Sequence, residues 1–193
     1  MRVAGTDRVI AFADLAAHPR ATPEKLRAAK EFSVEPSTYP NGTHIAEVEI
    51  DPETGATGIV SYVVVDDFGA TLNPLLLAGQ VHGGAVQGIG QALMEDTVYD
   101  STTGQLLSAS FMDYAMPRAD YFPTIKVDTT VTKCPSNPLG IKGCGEAGAI
   151  AAPAALINAI TDAIGTEAVA MPATPPTVWA ALRKAGKAAP RAA

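Results

Sequence analysis

The stretch HIAEVEIDPETGATGIVSYVVVD, residues 44–66, decides the fold of this chain. In its first half, apolar Ala46, Val48 and Ile50 alternate with glutamates, which is the period-two pattern of a strand with one buried face. The DPETG segment in the middle is rich in turn-forming residues. A valine-rich run over residues 58–66 then indicates a second strand. The stretch therefore predicts an antiparallel hairpin.

Helix and strand patterns alternate on the C-terminal side of this hairpin. After an Asn-Pro break, residues 75–94 carry the pattern of a long helix. Residues 106–114 and 125–132 are predicted strands, and a last helix is predicted to begin near Thr177. Because helices and strands are interspersed and the hairpin is antiparallel, we predict an α+β fold in which helices pack on a mixed sheet.

An alanine-rich helix is predicted to follow a loop of residues 135–145. Pro153 interrupts this segment, and a proline inside a helix lacks an amide hydrogen and clashes with the preceding turn. We therefore predict a short first turn near Glu146 and a main helix over residues 153–164. The buried stripe of this helix is predicted to consist of four aliphatic residues: Leu156, Ile157, Ile160 and Ile164.

The residues before the hairpin are predicted to form a segment of their own. Residues 8–12 indicate a short strand, and residues 23–32 indicate a helix with proline at its first position. We expect an N-terminal connector with a short helix over residues 1–37. A folded domain is expected over residues 38–185, followed by a flexible tail of residues 186–193.

Composition and charge exclude several classes of protein. Fourteen basic against twenty acidic side chains give a net charge of −6 without a basic cluster, so we expect no nucleic-acid-binding surface. The N-terminus lacks the zones of a signal peptide. The apolar runs, such as the one ending at Ile164, are broken by polar residues or proline and are expected to be too short to span a bilayer. Cys134 and Cys144 match no zinc pattern, and we expect a cytoplasmic protein without membrane contact.

The first candidate site is the glycine-rich part of the long helix, GQVHGGAVQGIG, residues 79–90. Each of its five glycines costs roughly 0.5–1 kcal/mol of helix stability relative to alanine. Such a cost is tolerated where the backbone must approach a neighbouring helix or a ligand, and the pattern leaves both alternatives open. Gln80 and His82 could present donors at the positive end of the helix dipole, which suits an anionic or heteroatom-rich ligand.

The second candidate site is NPLGIKGCGEAG, residues 137–148, which places Glu146 at the start of a helix on a glycine-flanked loop. Such a carboxylate can reach into a cleft that a bulkier loop would fill. Alternatively, it only stabilises the helix dipole, an effect worth about 0.3–1 kcal/mol. The segment also matches the glycine spacing of a dinucleotide fingerprint. Because a proline-broken loop and not an apolar strand precedes it, we reject a nicotinamide dehydrogenase.

Four blocks in this order carry a resemblance to the molybdenum hydroxylase family. They are residues 42–44, 73–84, 112–118 and 137–146, and the MPATP segment at residues 171–175 is similar to the family's ending. This family comprises xanthine dehydrogenase, aldehyde oxidase and aerobic carbon monoxide dehydrogenase. The resemblance implies the fold of the second molybdenum-cofactor-binding domain of the large subunit.

The resemblance also implies a set of site residues. Glu146 would be the catalytic carboxylate, and no residue of this chain would ligate the metal. Gln80 and its neighbours would contact the pterin, and the loop before Glu146 would line the metal. Together these expected cofactor-binding residues are Gln80, Val81, His82, Gly83, Lys142, Gly143, Cys144 and Gly145.

Cofactor and partners follow from the same resemblance. The cofactor would be molybdenum–molybdopterin, in the cytosine dinucleotide form. Iron–sulfur clusters and FAD would lie on partner subunits of a hetero-oligomer, together with the rest of the molybdenum subunit. The expected reaction is the hydroxylation of an aldehyde, an N-heterocycle or purine, or carbon monoxide, with oxygen derived from water.

The family's large subunit is several times longer than this chain, and its earlier part supplies further pterin contacts and most of the substrate pocket. The resemblance therefore implies a fragment, a separately encoded piece or the product of a degenerate gene, inactive alone. Two functions stay open: half of a catalytic centre that works with partner polypeptides, or an orphan domain that keeps the fold and acts only in protein interactions.

Overall fold

The computed structural model describes residues 1–31, 33, 37–166 and 168–187. The chain divides into two compact units, Met1–Glu35 and Pro36–Ala193.

The first unit contains two short helices, α1 (Phe12–Ala16) and α2 (Pro23–Leu26). The strand predicted over residues 8–12 was wrong, because an isolated bridge between Arg2 and Val9 forms there instead and Phe12 begins α1.

The helix predicted over residues 23–32 begins at Pro23 as expected but ends after one turn, and Phe32 lies outside the described residues. The Thr22 side chain makes no capping hydrogen bond, and no residue of α2 is buried. A short helix that buries nothing has no tertiary packing to extend it, which explains its early end.

The second unit is built on a three-stranded mixed sheet of order β1-β2-β3. Strands β1 (Asn41–Ile50) and β2 (Thr57–Asp67) form the antiparallel hairpin that the sequence predicted, with a register shift between Glu47 and Val48. Strand β3 (Lys126–Thr130) pairs with β2 in parallel, within the predicted residues 125–132. The predicted α+β class with a mixed sheet is confirmed.

Three helices accompany this sheet. Helix α3 (Pro74–Leu93) lies within one residue of its prediction, begins with a proline at its first turn and is capped by the Asn73 side chain, which accepts a hydrogen bond from the Leu76 amide. Helix α4 (Ala147–Ile164) packs against α3 and β1, and α5 (Pro175–Lys184) begins two residues before Thr177.

The strand predicted over residues 106–114 was wrong. A single bridge between Tyr99 and Leu106 forms there, and the chain then turns about Ser110, whose carbonyl oxygen accepts hydrogen bonds from the amides of Asp113 and Tyr114. Phe111 and Met112 in this turn are 81% and 93% exposed. An apolar run forms a strand only where a neighbouring strand is available to pair with it. None of the described strands pairs with residues 106–114, so this segment forms a turn.

The break predicted at Pro153 was also wrong, because α4 continues through it. Gly88 of α3 packs against this turn: a Cβ atom built on it would lie 3.0 Å from the Ala149 carbonyl oxygen and 2.9 Å from Pro153 Cδ. Contact with α3 therefore stabilises the turn that the proline weakens. Unbroken, α4 is 18 residues long and apolar enough to cross a membrane by length and composition, contrary to the sequence argument.

Helix α4 is nevertheless a core helix of this unit, since one of its faces packs into two buried clusters. As predicted, Leu156, Ile160 and Ile164 are fully buried, whereas Ile157 is partly buried. The first cluster joins β2, α3 and the N-terminal half of α4. The second joins the C-terminal half of α4 with α5. The N-termini of α3 and α4 are thereby held beside the end of β2.

Candidate functional site

Four of the five glycines of α3 fall into two groups with different surroundings, and the fifth, Gly90, packs against the side chains of Glu95 and Pro117. A Cβ atom at Gly84 would lie 3.1 Å from the Ala149 amide nitrogen, and one at Gly88 would lie 2.7 Å from Ala152 Cβ, so both glycines permit close packing against α4. A Cβ atom at Gly79 or Gly83 would meet nothing within 4 Å. Helix packing therefore explains Gly84 and Gly88. Gly79 and Gly83 instead leave an open strip of backbone in the N-terminal half of α3, which we call the head of the helix.

Gln80 lies between the two glycines of this open strip and joins the two candidate sites. Its Nε2 donates a hydrogen bond of 2.8 Å to the carbonyl oxygen of Gly145, the residue immediately before Glu146. These two residues are 65 positions apart in the chain. The fold thus brings together the head of α3 and the loop of residues 142–146, which the sequence singled out separately.

The other two predicted side chains of the α3 block point elsewhere. Val81 is fully buried in the core cluster. The ring of half-buried His82 lies between two backbone carbonyls, with Nδ1 2.6 Å from the Ala78 oxygen and Nε2 3.1 Å from the Ile125 oxygen. Both ring nitrogens therefore face carbonyl oxygens of the fold, and the protonated one donates a hydrogen bond there. Gly83, like Gln80, is exposed.

The loop that leads to Glu146 is held by its own side chains and by the end of the sheet. The Asn137 side chain accepts a hydrogen bond from the Ile141 amide and donates one to the Ile141 carbonyl oxygen. Gly69 and Gly140 both have positive φ, and a Cβ on Gly69 would collide with the Gly140 carbonyl oxygen. The Ala70 amide donates to that same oxygen at 2.9 Å. A glycine at residue 69 is therefore required for the loop to lie this close.

Lys142 continues this anchoring through a buried ion pair. Its Nζ lies 3.2 Å from Asp67 Oδ1, and the two side chains are 9% and 5% exposed. Asp67 also accepts a hydrogen bond of 2.8 Å from the Gly69 amide. The Thr132 hydroxyl above all, then the Gly69 amide and Lys142, lower the pKa of Asp67 to about 2. The ammonium of Lys142 is thus turned towards the end of β2.

Of the next two loop residues, Gly143 is held by a hydrogen bond and Cys144 lines a small cavity. The Gly143 amide donates a 3.1 Å hydrogen bond to the Thr38 hydroxyl. Cys144 is a free, half-buried cysteine that packs against the core cluster. Together with Gln80, Ile141 and Lys142 it lines a cavity of about 280 Å³, whose remaining wall comes from the connection between β2 and α3 and from the first turns of α3.

Glu146 stands at the N-cap of α4 with its side chain exposed and without a capping hydrogen bond. Its carbonyl oxygen accepts hydrogen bonds from the Ala149 and Ile150 amides, but its carboxylate takes part in no ion pair among the described residues. Only the Ala147 and Gly148 amides precede these in α4, and Gly148 is buried against α3. The start of α4 therefore offers an exposed carboxylate that pairs with no other described side chain.

Sequence reasoning missed a buried polar cluster on the helix-facing side of the hairpin. His44 Nδ1 is hydrogen-bonded to the Tyr62 hydroxyl at 2.8 Å, and His44 Nε2 lies 3.7 Å from Asp66 Oδ2. Burial lowers the pKa of His44 and raises the pKa values of Asp66 and Tyr62. These shifts favour the uncharged forms. The available signal concerned His44, which alternates in step with the apolar residues Ala46, Val48 and Ile50 of the first strand.

A larger cavity of about 650 Å³ lies away from this site, between the turn of residues 111–118 and the hairpin end of the sheet. The Tyr114 hydroxyl donates a 2.5 Å hydrogen bond to Glu95, which fixes this turn to the end of α3. Residues of the block at 112–118 line this larger cavity, whereas Gln80 lines the smaller one. Among the described ranges of the chain, no three His, Cys, Asp or Glu residues are grouped as a metal site.

Comparisons with known proteins agree with this fold. The molybdopterin cofactor-binding domain family matches residues 1–123. Subunit gamma of the 6-hydroxypseudooxynicotine dehydrogenase complex of Paenarthrobacter nicotinovorans is 39% identical over 97% of this chain and 25% of its own length. The nicotine 6-hydroxylase large subunit of the same organism is 38% identical over 79% of this chain and 19% of its own length.

A solved structure extends the comparison to three dimensions. The crystal structure of a Cu,Mo-CO dehydrogenase superimposes with a TM-score of 0.73 at 32% identity, over 77% of this chain and 19% of that one. This chain thus spans a quarter or less of the length of the relatives it matches. Since the family match covers more than half of the chain and the fold agrees, the chain belongs to the molybdenum hydroxylase family, as part of its molybdopterin cofactor-binding domain.

Proposed function

We propose that this chain is the C-terminal part of the molybdopterin-binding catalytic subunit of a molybdenum-dependent hydroxylase, with Glu146 as the catalytic base. The observation that carries the proposal is the hydrogen bond from Gln80 to the Gly145 carbonyl oxygen. It joins the exposed head of α3 to the residue before Glu146, so that a single ligand could touch both.

The residues at this surface fit a flat, heteroatom-rich and anionic group. The strip at Gly79 and Gly83 has no side chain that would hold a planar group away from the backbone. Between them, Gln80 keeps one amide hydrogen and its carbonyl oxygen available beyond the bond to Gly145. The positive end of α4 favours negative charge beside it. These features support a molybdopterin contact at Gln80 and Gly83.

The other expected residues would contribute backbone and position. The loop that precedes Glu146 would line the metal side of the cofactor, with Lys142, Gly143, Cys144 and Gly145. Its contacts with Asp67, Thr38 and Gln80 fix its position. Val81 and His82 would contribute only the backbone of the α3 turn, since their side chains are engaged inside the fold.

When bound, the cofactor supplies Lewis acidity and a two-electron acceptor for hydroxylation. The part of Glu146 is to accept, on a carboxylate oxygen, the proton that a water-derived nucleophile must lose. General-base catalysis of this kind contributes roughly 10²–10⁴ in rate. The exposed carboxylate is suited to this role because no ion pair within the described residues competes for it.

The complete enzyme requires more than this chain. Two electrons leave the substrate in each turnover, so we propose partner subunits with iron–sulfur clusters and FAD, together with the rest of the molybdenum subunit, in a cytoplasmic hetero-oligomer. The proposed cofactor form is the cytosine dinucleotide. The relatives compared above include a nicotine 6-hydroxylase subunit and a Cu,Mo-CO dehydrogenase. The nicotine 6-hydroxylase subunit is the more similar of these two, at 38% against 32% identity. Among aldehydes, N-heterocycles, purines and carbon monoxide, we therefore propose N-heterocycles as the first substrates to assay.

The test is made on the complex purified from the native host. Elemental analysis should find molybdenum and iron with this chain. Glu146→Gln should lower turnover by roughly 10²–10⁴ while the bound molybdenum is retained, since the change removes a base and not a ligand. The matched control is Glu53→Gln, an exposed carboxylate in the hairpin turn, which should leave turnover unchanged.

Two results would contradict the proposal in different ways. Near-normal turnover of Glu146→Gln would remove the catalytic assignment. A complex that contains neither molybdenum nor iron would favour the other function, an orphan domain that acts only in protein interactions.

A further inference from the structure

We propose that Asp67 is a positioning residue of this site, whose carboxylate holds Lys142 and thereby sets the position of the loop that ends at Glu146. The inference rests on the proposed function of Glu146. It adds a residue that lies outside both glycine-rich blocks.

Asp67 is placed where it can act as an anchor. It is the last residue of β2, the middle strand of the sheet, and its side chain is 5% exposed. Its carboxylate joins two segments: it accepts a hydrogen bond from the Gly69 amide directly after β2 and pairs with Lys142 in the loop. Because β2 is hydrogen-bonded to a strand on each side, a group at its end is well placed to hold a loop.

The loop is held at both ends of residues 142–145. At one end Lys142 is bound twice, since its Nζ lies 3.2 Å from Asp67 and its amide donates a 2.8 Å hydrogen bond to the Phe68 carbonyl oxygen. At the other end the Gly145 carbonyl oxygen accepts from Gln80. Between them the Gly143 amide is held by Thr38. The start of α4 follows directly, so a shift at Lys142 would be passed to Glu146.

Charge explains why Asp67 in particular is needed. A buried ammonium without a partner is unstable, because its desolvation is not compensated. Lys142 is 9% exposed, and Asp67 is the carboxylate paired with it among the described residues. The contacts that lower the pKa of Asp67 to about 2 keep it charged at neutral pH. Loss of this carboxylate would drive Lys142 towards solvent and open the loop.

The experiment compares four forms of the assembled complex: the parent, Asp67→Ala, Lys142→Met and the double variant. Hydrogen exchange of the amides of residues 141–146 is measured together with molybdenum content and kcat. Each single variant should raise exchange in this loop by about tenfold or more, since breaking a buried pair exposes the remaining partner. Hydrogen exchange of the loop in the double variant should be no faster than in the faster-exchanging single variant, because the two residues stabilise the loop through the same ion pair.

Molybdenum content and kcat should fall in parallel with loop opening. The matched control is Asp66→Asn, one residue earlier, whose carboxylate faces His44 and not the loop. It should leave exchange of residues 141–146 unchanged.

Unchanged loop exchange in the single variants, or effects that simply add in the double variant, would overturn the positioning role. So would an open loop with normal molybdenum content and kcat. A parent complex without molybdenum is a different result, because it overturns the proposed function itself and with it the role of Asp67 towards the cofactor.

Discussion

The contact between α3 and α4 leads to a prediction of opposite sign for two glycines. A Cβ atom on Gly148 would lie 2.5 Å from the Val81 carbonyl oxygen and 2.7 Å from the Ala85 amide nitrogen. These are backbone atoms of a helix, so no side chain can move aside, and the two helices must separate. A Cβ atom on Gly83 would meet nothing within 4 Å.

The magnitudes follow from two effects. Inserting a methyl group into a packed interface costs about 1–3 kcal/mol. Replacing glycine by alanine in a helix gains roughly 0.5–1 kcal/mol. For Gly148→Ala both effects act. Because both contacts are with backbone atoms, we take the upper half of the packing cost, about 2–3 kcal/mol, and after the helix gain we expect a net loss of about 1–2.5 kcal/mol in the free energy of unfolding. For Gly83→Ala only the helix effect acts, and we expect a gain of roughly 0.5–1 kcal/mol.

Urea unfolding of the 193-residue chain, followed by far-ultraviolet circular dichroism, would measure both values. The slope of the transition should stay the same, so that the midpoints report stability alone. A Gly148→Ala chain as stable as the parent would refute the packing argument. A destabilised Gly83→Ala chain would show that the open strip is already covered by this chain.

Two further predictions concern buried polar groups. The pKa of Asp67 is about 2 in the folded chain against an ordinary 3.8, so the folded state binds fewer protons than the unfolded one between these values. The stabilisation that the Asp67 carboxylate provides is therefore present above about pH 4 and is lost as the pH falls towards 2. The urea midpoint of the parent should exceed that of Asp67→Asn, and this difference should be larger at about pH 5 than at about pH 2.5. An equal gap at both pH values would contradict the assignment. Tyr62→Phe leaves His44 Nδ1 without its partner, which should cost about 1–3 kcal/mol by urea unfolding. Tyr39→Phe, at an exposed position, should cost nothing measurable.

The parts of the fold that were predicted correctly are those in which local pattern and tertiary packing agree. In β1, Val48 and Ile50 alternate with glutamates, and these are the residues that pack on the core clusters. Helix α3 carries both its cap residue Asn73 and a continuous buried face, so its bounds were predictable within one residue. Each of these segments contains its own start signal and its own buried stripe.

The errors lie where a distant segment decides. Pro153 is tolerated inside α4 because Gly88, far away in the chain, packs against the weakened turn. Residues 106–114 lack a partner strand and form a turn instead. Neither a neighbour's glycine nor the absence of a pairing strand can be deduced from a local pattern.

The candidate site shows the same division. Residue types alone indicated Gln80 and Glu146 as groups of interest, because glycine-rich backbone and a carboxylate at a helix start are unusual locally. Their adjacency depends on the packing of α3 against α4, which carries Gly145 to within 2.8 Å of Gln80. The role of Asp67 could not be predicted from the sequence, because only the fold brings its carboxylate to within 3.2 Å of the Lys142 ammonium.

By itself, the order of residues determined the hairpin, helices α3 and α5, the C-terminal part of α4, the α+β class and the two blocks worth studying. These depend on hydrophobic periodicity and turn chemistry, which act over a few residues. Tertiary structure alone decided which glycines are packed and which are open, which side chains of the α3 block are buried, and that an ion pair at the end of β2 restrains the loop before Glu146. The physical reason is that burial and charge pairing depend on neighbours in space, whereas propensity depends on neighbours in the chain.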